Sequence, residues 1–396
     1  MSQIETLHMK SSGRIPWSSL FLLWTCGASL RLTILAVPPV ISFIQQDLHL
    51  SGTEVGLLSG IPVILFALVA TPGSTLVARL GVRSALLIGL TLTAVGAAFR
   101  AASADPWQLY LTSIVMSSGV AIMQPVMAAA VRAWVPDRAT FGTAVYTNGL
   151  IVGEVIPVAV MLPILVPHLG NWRPALGIWS VPVIATAILV MILRPTSGVT
   201  AAAPHSARWL PELNNRLNWR IGLILGSVSS AYFCTNGFLP AYLNGNGHPE
   251  LVSPALTALN VAQFPTSFLL LFTADKVQSK RWPYLLAGLS IVVCMIGIMS
   301  SAGYWTVFWA ALVGATCGAA LVLGLALSPL LCRRPDEVAR TSAAAFAISY
   351  GFAMLISFVS GAAWDMASNV NVALIPILLG ALPILALTPT LELKRR

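Results

Sequence analysis

Apolar residues in this chain come in long runs separated by short polar stretches. Twelve runs can be marked off: about 17 to 45, 54 to 78, 83 to 102, 107 to 131, 140 to 168, 172 to 193, 219 to 243, 252 to 274, 282 to 301, 304 to 331, 338 to 364 and 370 to 390. Each is long enough, as a helix rising about 1.5 Å per residue, to cross roughly 30 Å of hydrocarbon. The pattern predicts an all-α membrane protein of about twelve transmembrane helices. Polar residues concentrate between Arg194 and Arg220 and divide the runs six and six. The expected organisation is a tail over 1–16, a six-helix half over 17–194, a linker over 195–218, a second six-helix half over 219–390 and a tail over 391–396. Residues 1–16 are polar and the first run is too long for a signal-peptide core, so no cleavage is expected.

Composition agrees with a chain solvated by lipid. Of 396 residues, 57% are hydrophobic and 9% charged, against about a quarter charged in soluble domains. Charge placement then orients the spans. With the amino terminus inside, 19 of the 22 basic residues fall in cytoplasmic segments; only Arg31, Arg100 and Arg173 do not. Cytoplasmic loops retain Lys and Arg in this way, so the net charge of +9 follows from topology and argues for no nucleic-acid partner. The five cysteines (Cys26, Cys234, Cys294, Cys317 and Cys332) lie in predicted spans without metal-ligand spacing and read as packing residues. Trp17, Trp107, Trp172, Trp219, Trp282 and Trp305 cluster at span ends, as headgroup anchors do.

The two halves echo one another. The second span is followed by Leu76-Val77-Ala78-Arg79-Leu80-Gly81-Val82-Arg83, and the eighth by Thr273-Ala274-Asp275-Lys276-Val277-Gln278. Val135-Pro136-Asp137-Arg138 follows the fourth span, and Arg334-Pro335-Asp336-Glu337 the tenth. Two loop motifs at one offset, close to half the chain, support duplication.

Two six-helix halves with short basic loops after the second and eighth spans resemble the major facilitator superfamily, whose members bind solutes near the midplane between halves. The superfamily's loop signature, Gly-x-Leu-x-Asp-Arg-x-Gly-Arg-Arg, is degraded here. Ser74 and Ala78 replace the leading Gly and the Asp, while Leu76, Arg79, Gly81 and Arg83 remain; the second copy keeps Asp275 and Lys276 but has Gln278 at the Gly position. The resemblance implies that Arg79, Gly81, Arg83, Asp275 and Lys276 belong to gating loops. A narrower resemblance, to the cyanate permease and nitroimidazole transporter group, rests on pieces in order along the chain. These are Leu30-Arg31 with Val37-Pro38-Pro39, Val95-Gly96 with Arg100, Gln124-Pro125-Val126-Met127, Asn171-Trp172-Arg173-Pro174, Tyr232 with Phe238-Leu239-Pro240-Ala241-Tyr242, Gln263, and Gly351 with Gly361. The chain departs from the group at Ser29-Leu30-Arg31-Leu32, where Asn-Met-Arg-Pro is common, and at Glu154, where an apolar residue is common. A multi-pass protein of the bacterial inner membrane is expected, with both termini cytoplasmic.

Charges inside spans are costly, roughly 2.5 to 3.5 kcal/mol each by insertion scales, and default to function. Arg31 lies ~14 residues, or ~21 Å, into the first span counted from Trp17. Its fixed fork of donors suits carboxylate or nitro-type oxygens. Glu154 lies equally deep in the fifth span, and the superfamily resemblance implies that these spans are neighbours. Glu154 either neutralises Arg31 until substrate displaces it or takes up a proton that couples transport to the proton gradient. Gln124, Tyr232, Asn236 and Gln263 are neutral donors at cavity depth; Asn148, Asn260, Ser349 and Tyr350 read as interhelical glue. Arg100 reads as an interfacial side chain snorkelling to water. Pro62, Pro72, Pro125, Pro157, Pro163, Pro182, Pro265 and Pro329 supply kinks.

No Walker sequence, metal cluster or catalytic constellation is visible, so no cofactor, no metal and no enzyme activity are expected. The sequence therefore predicts a monomeric secondary transporter, in a lipid bilayer, of a small anionic or anion-like solute: cyanate-like, nitro-bearing or a small carboxylate. Alternatives are an efflux transporter for hydrophobic drugs, which would need an uncompensated acidic cavity, and a non-transporting sensor on the same fold.

Overall fold

The computed structural model describes residues 17–193, 214–332 and 335–391. The predicted amino-terminal tail, most of the linker and most of the carboxy-terminal tail lie outside the described residues. The described residues are helices joined by turns, bends and short irregular links.

Prolines decide where spans break. The first span is α1 (Trp17–Leu35) and α2 (Val37–Leu48), joined by a turn at Ala36. Pro38 and Pro39 have no N–H to return to the carbonyls of Ile34 and Leu35, so the hydrogen-bond ladder stops there. The second and third spans form α3 (Gly52–Phe99), interrupted at Gly81, whose φ of 79° and ψ of 166° turn the chain back. That conformation is open to glycine and strained for other residues, which explains a glycine between Arg79 and Arg83. A 3₁₀ turn (Arg100–Ala102) leads to α4 (Pro106–Trp134), the fourth span, which continues through Pro125. The fifth is α5 (Ala139–Val160), a π-helical segment (Met161–Leu165) and α6 (Val166–Leu169). Pro157 and Pro163 bracket the change of winding. The sixth is α7 (Trp172–Gly177) and α8 (Ser180–Leu193).

In the second half, α9 (Arg216–Gly245) is the seventh span, beginning three residues before the expected boundary because Asn215 caps it through its side chain. The eighth apolar run differs from the expectation of one long helix. It is split at Ala262 into α10 (Val252–Val261) and α11 (Gln263–Val277), since Pro265 cannot donate to the Val261 carbonyl. The ninth to eleventh spans are α12 (Trp282–Ser300), α13 (Tyr304–Leu331) and α14 (Pro335–Ala367); a 3₁₀ turn (Val370–Ala373), α15 (Leu374–Gly380) and α16 (Leu382–Leu387) make the twelfth. With the split run set aside, eleven stretches among the described residues are long and apolar enough to span a membrane.

The bundle is apolar outside and polar inside. Leu68, Leu111, Ile192, Phe268 and Leu355 are exposed, whereas Arg31, Arg100, Glu154, Asn236 and Asn260 are buried. That inversion is stable where the surrounding solvent is hydrocarbon. Helices of the first half pack on one another through α1 against α5 and α3 against α4 and α8; those of the second through α9 against α14 and α13 against α10 and α12. The halves meet through α3 with α14, α5 with α10 and α2 with α9.

One face of the bundle is closed by polar contacts between halves. Asp365, near the end of α14, accepts hydrogen bonds from Gly52 N (2.5 Å), Thr53 N (2.8 Å) and Thr53 Oγ1 (2.5 Å). These amides are orphan donors at the start of α3, which Ser51 and Glu54 also cap reciprocally. Beneath them Ser357 Oγ donates to Gly56 O (2.8 Å), and Asn244 Nδ2 reaches Ser42 Oγ (2.9 Å) across the other seam. On the opposite face Arg83 donates to the Val190 and Met191 carbonyls, at 3.2 and 2.5 Å, closing the end of α8.

Two further expectations change. Trp172 is buried (4% exposed) and donates to Asp47 Oδ2 at 3.0 Å, unlike the exposed Trp17, Trp107, Trp219, Trp282 and Trp305. Arg100 is 2% exposed and turns into the bundle, so the snorkelling expectation fails. Three neutral hydrogen bonds hold it there.

Candidate substrate site between the halves

Arg31 and Glu154 are brought together by a seam of small residues. A Cβ on Gly27 would overlap the Tyr146 carbonyl, one on Gly149 the Trp24 carbonyl and one on Gly153 the Ala28 carbonyl. The backbones of α1 and α5 therefore touch, as small-residue interfaces allow in membranes. Gly27 lies one turn before Arg31 and Gly153 adjoins Glu154. Across this seam Arg31 Nε stands 3.2 Å from Glu154 Oε1, both side chains nearly inaccessible.

The pair is close but poorly aligned for hydrogen bonding. Arg31 Nε and Nη1 are buried and have no hydrogen-bond partner. Aromatic rings take the guanidinium faces instead: its Cζ lies 5.5 Å from the Phe66 ring centroid and 5.6 Å from that of Phe233. Each desolvated cation–π contact contributes about 2 kcal/mol. Phe66 comes from the second span and Phe233 from the seventh, so the cation sits between halves. Tyr350 packs 5.5 Å from Phe66 and stacks on Phe346 at 5.9 Å.

Glu154 is also held from the second half. Gln263 Nε2, at the break between α10 and α11, donates to Glu154 Oε2 at 3.1 Å. The Tyr232 hydroxyl adjoins Glu154 and Gln263 and donates to Asn260 Oδ1 at 2.6 Å. Asn260 Nδ2 donates to Asn236 Oδ1 (3.0 Å) and Leu256 O (2.8 Å), and Asn236 Nδ2 to Tyr232 O (3.0 Å). Both Asn236 functional groups are thus engaged within the network.

Of the sequence-predicted residues, Arg31, Glu154, Gln263 and Tyr232 form one cluster. Asn236 supports it through Asn260, and Gln124 is one step removed as a side-chain partner of Tyr350. Asn148 accepts from Trp24 Nε1 (2.9 Å), and Ser349 meets Ser229 (3.0 Å), away from the ion pair. The proposed gating residues lie elsewhere: Arg79, Gly81 and Arg83 flank the α3 interruption. Asp275 and Lys276 fall in α11, with side chains outside the described residues. Sequence reasoning missed Phe66 and Phe233, whose apolar rings give no signal within an apolar helix. It underrated Asn260 and Tyr350. It also missed Ser113, which accepts from Arg100.

Among the described residues no cluster of three metal-ligating side chains exists.

Comparison with known proteins identifies the family. The chain is 23% identical to the 2-nitroimidazole transporter of Escherichia coli (strain K12) over 89% of either protein. It is 24% identical to the cyanate transport protein CynX of the same organism over 78% of this chain and 80% of that one. To the uncharacterized transporter YycB of Bacillus subtilis (strain 168) it is 23% identical over 84% and 81%. Its fold matches the nucleoside transporter NupG (TM-score 0.71, 15% identity, 94% of this chain and 96% of that one). It also matches the inward-open xylose transporter XylE from E. coli (TM-score 0.71, 13% identity, 93% and 95%). Residues 23–358 match the Major Facilitator Superfamily, and the chain belongs to that superfamily: it is a multi-pass membrane transporter, not an enzyme.

Proposed function

We propose that the protein moves a small planar anion by alternating access between its two halves, with Arg31 as the anchor. The observation carrying this reading is the state of Arg31: a buried cation between two phenyl rings, with Nε and Nη1 unpaired by hydrogen bonds. The rings cover its faces and leave its edge, which suits the coplanar oxygens of a carboxylate, nitro or cyanate-like group. The names of the E. coli relatives support that class. Glu154 is the resident counter-ion; an arriving anion takes its place at Arg31 while Gln263 retains the carboxylate. Gln124 and Asn236 act through their partners. On this reading the Arg83 face is cytoplasmic, following the basic residues, and the closed Asp365 face is external. The membrane is the bacterial inner membrane.

Thermal unfolding of the purified protein with benzoate, nitrate and cyanate tests the anchor. A bound anion stabilises by mass action, about 2.7 kcal/mol at a hundred times its Kd. Wild type is expected to be stabilised by at least one of the three and Arg31→Ala by none. Equal stabilisation of both proteins rules the anchor out.

A second reading concerns coupling. An anion at Arg31 leaves the buried Glu154 without its cation, and a proton then compensates the carboxylate. Uptake driven by a pH gradient and undiminished in Glu154→Gln would dismiss this coupling.

A further inference from the structure

Arg100 makes no ion pair among the described residues. Its Nη1 donates to Thr33 O at 2.8 Å, and its Nε and Nη2 each donate to Ser113 Oγ at 3.2 Å. Both acceptors belong to neutral groups. Donors alone would satisfy a carbonyl and a hydroxyl without a net charge, yet a full charge is kept inside the bundle, against Thr33, two residues along the first span from Arg31. Buried charges of this kind are compensated by a partner or by cargo.

Beside Arg100 lies a cavity of about 30 Å³. Its wall includes Arg100, Ser59, Asn236, Phe233, Pro38 and Pro62. Phe233 is also one of the rings over Arg31, so one aromatic side chain belongs both to the cavity wall and to the surroundings of the anchor. The cavity lies between the halves, beneath the Gly52–Asp365 seam. Its volume holds little more than water, and anything larger enters only when that seam parts.

We propose that this cavity is a second anion subsite on the external side of Arg31, with Arg100 as its uncompensated cation and Phe233 as the partition between the two positions. An anion on its way between the external solution and Arg31 rests there, so Arg100 contacts the cargo when the external face is open. The subsite rests on the reading of the protein as an anion carrier.

Ser59→Cys puts a thiol in the cavity wall of the full-length chain. Its labelling from outside, in proteoliposomes, by anionic and cationic methanethiosulfonates of matched size reads the local field. Wild-type chain gives the background, its five cysteines all being buried. Relative to a free thiol, the anionic reagent is expected to gain about tenfold over the cationic one. Adding Arg100→Gln should abolish the gain, and adding Arg31→Gln should leave it. A gain that survives Arg100→Gln, no gain at all, or no labelling of a transport-active Ser59→Cys protein overturns the subsite. Protection needs no change at Arg100 and covers a failure of Arg100→Gln to fold. Benzoate should slow labelling and the neutral isostere benzamide should not; equal effects of the two overturn the proposal. Benzoate protection that persists in Arg31→Gln, with no Arg31-dependent stabilisation, defeats the anchor and leaves the subsite standing. Arg31-dependent stabilisation with no charge-selective labelling does the reverse.

Discussion

A guanidinium and a carboxylate buried together hold each other in place, and removing one leaves the other uncompensated at a cost of about 3 to 5 kcal/mol. Glu154→Gln should therefore lower the melting temperature of the empty protein while enlarging the stabilisation that benzoate gives. Calorimetry with and without benzoate checks both, and a smaller benzoate effect would contradict displacement of Glu154 from Arg31. The rings over Arg31 act more gently: Phe66→Leu or Phe233→Leu should weaken benzoate binding by about 0.5 to 2 kcal/mol each, measurable by titration calorimetry. How far these residues were legible follows from what polarity in a sequence encodes. Arg31 and Glu154 stood out because each interrupts an apolar run, and equal distances from the start of their spans put them at one depth. Phe66 and Phe233 could not stand out, because an aromatic ring facing a cation and one facing lipid leave the same mark. Of Arg100, only the height of its backbone near the span end was legible; a long side chain reaches inward or outward from there, and Thr33 and Ser113 decide which.

At the level of helices, the ion pair depends on how closely α1 and α5 approach. Replacing Gly153 by Ala forces a methyl group toward the Ala28 carbonyl, and such overpacking typically costs about 1 to 3 kcal/mol. The helices should part locally, so Gly153→Ala is expected to lose both stability and benzoate affinity. Gly170→Ala, whose added Cβ meets nothing within 4 Å, leaves the pair's packing untouched; its positive φ of 71° costs only local strain. Loss of benzoate affinity in Gly170→Ala equal to that in Gly153→Ala would detach the affinity from the seam. Twelve runs and their pairing into halves were readable because a bilayer fixes both the length and the apolarity of a span. The breaks at Ala36 and Ala262 were readable only as prolines; where the chain bends depends on neighbours that take over the freed carbonyls. The split at Ala262 is what carries Gln263 to Glu154.

Over the whole molecule, the Asp365 face, external in the proposed orientation, is latched by one carboxylate on the start of α3. Hydrogen bonds to charged groups contribute about 1.5 to 3 kcal/mol each, discounted here because Asp365 is exposed. A loss of about 1.4 kcal/mol moves an equilibrium tenfold. Asp365→Ala should thus raise the external labelling rate of Ser59→Cys about tenfold; an unchanged rate would mean that the seam beneath, Ser357 on Gly56 included, closes this face unaided. Arg100 carries a consequence of a different kind. Among the described residues, two buried arginines and one buried glutamate leave a surplus positive charge in the empty carrier, and on the proposed reading, with no proton taken up by Glu154, one bound monovalent anion cancels it. Voltage then acts on the return of the unloaded protein, at about 2.3 kcal/mol for each charge crossing 100 mV, and hardly at all on the loaded step. The cell's resting potential would set the pace of turnover without touching the cargo. Transient currents from anion-free proteoliposomes on a solid-supported membrane, present in wild type and lost in Arg100→Gln, would register that charge in motion.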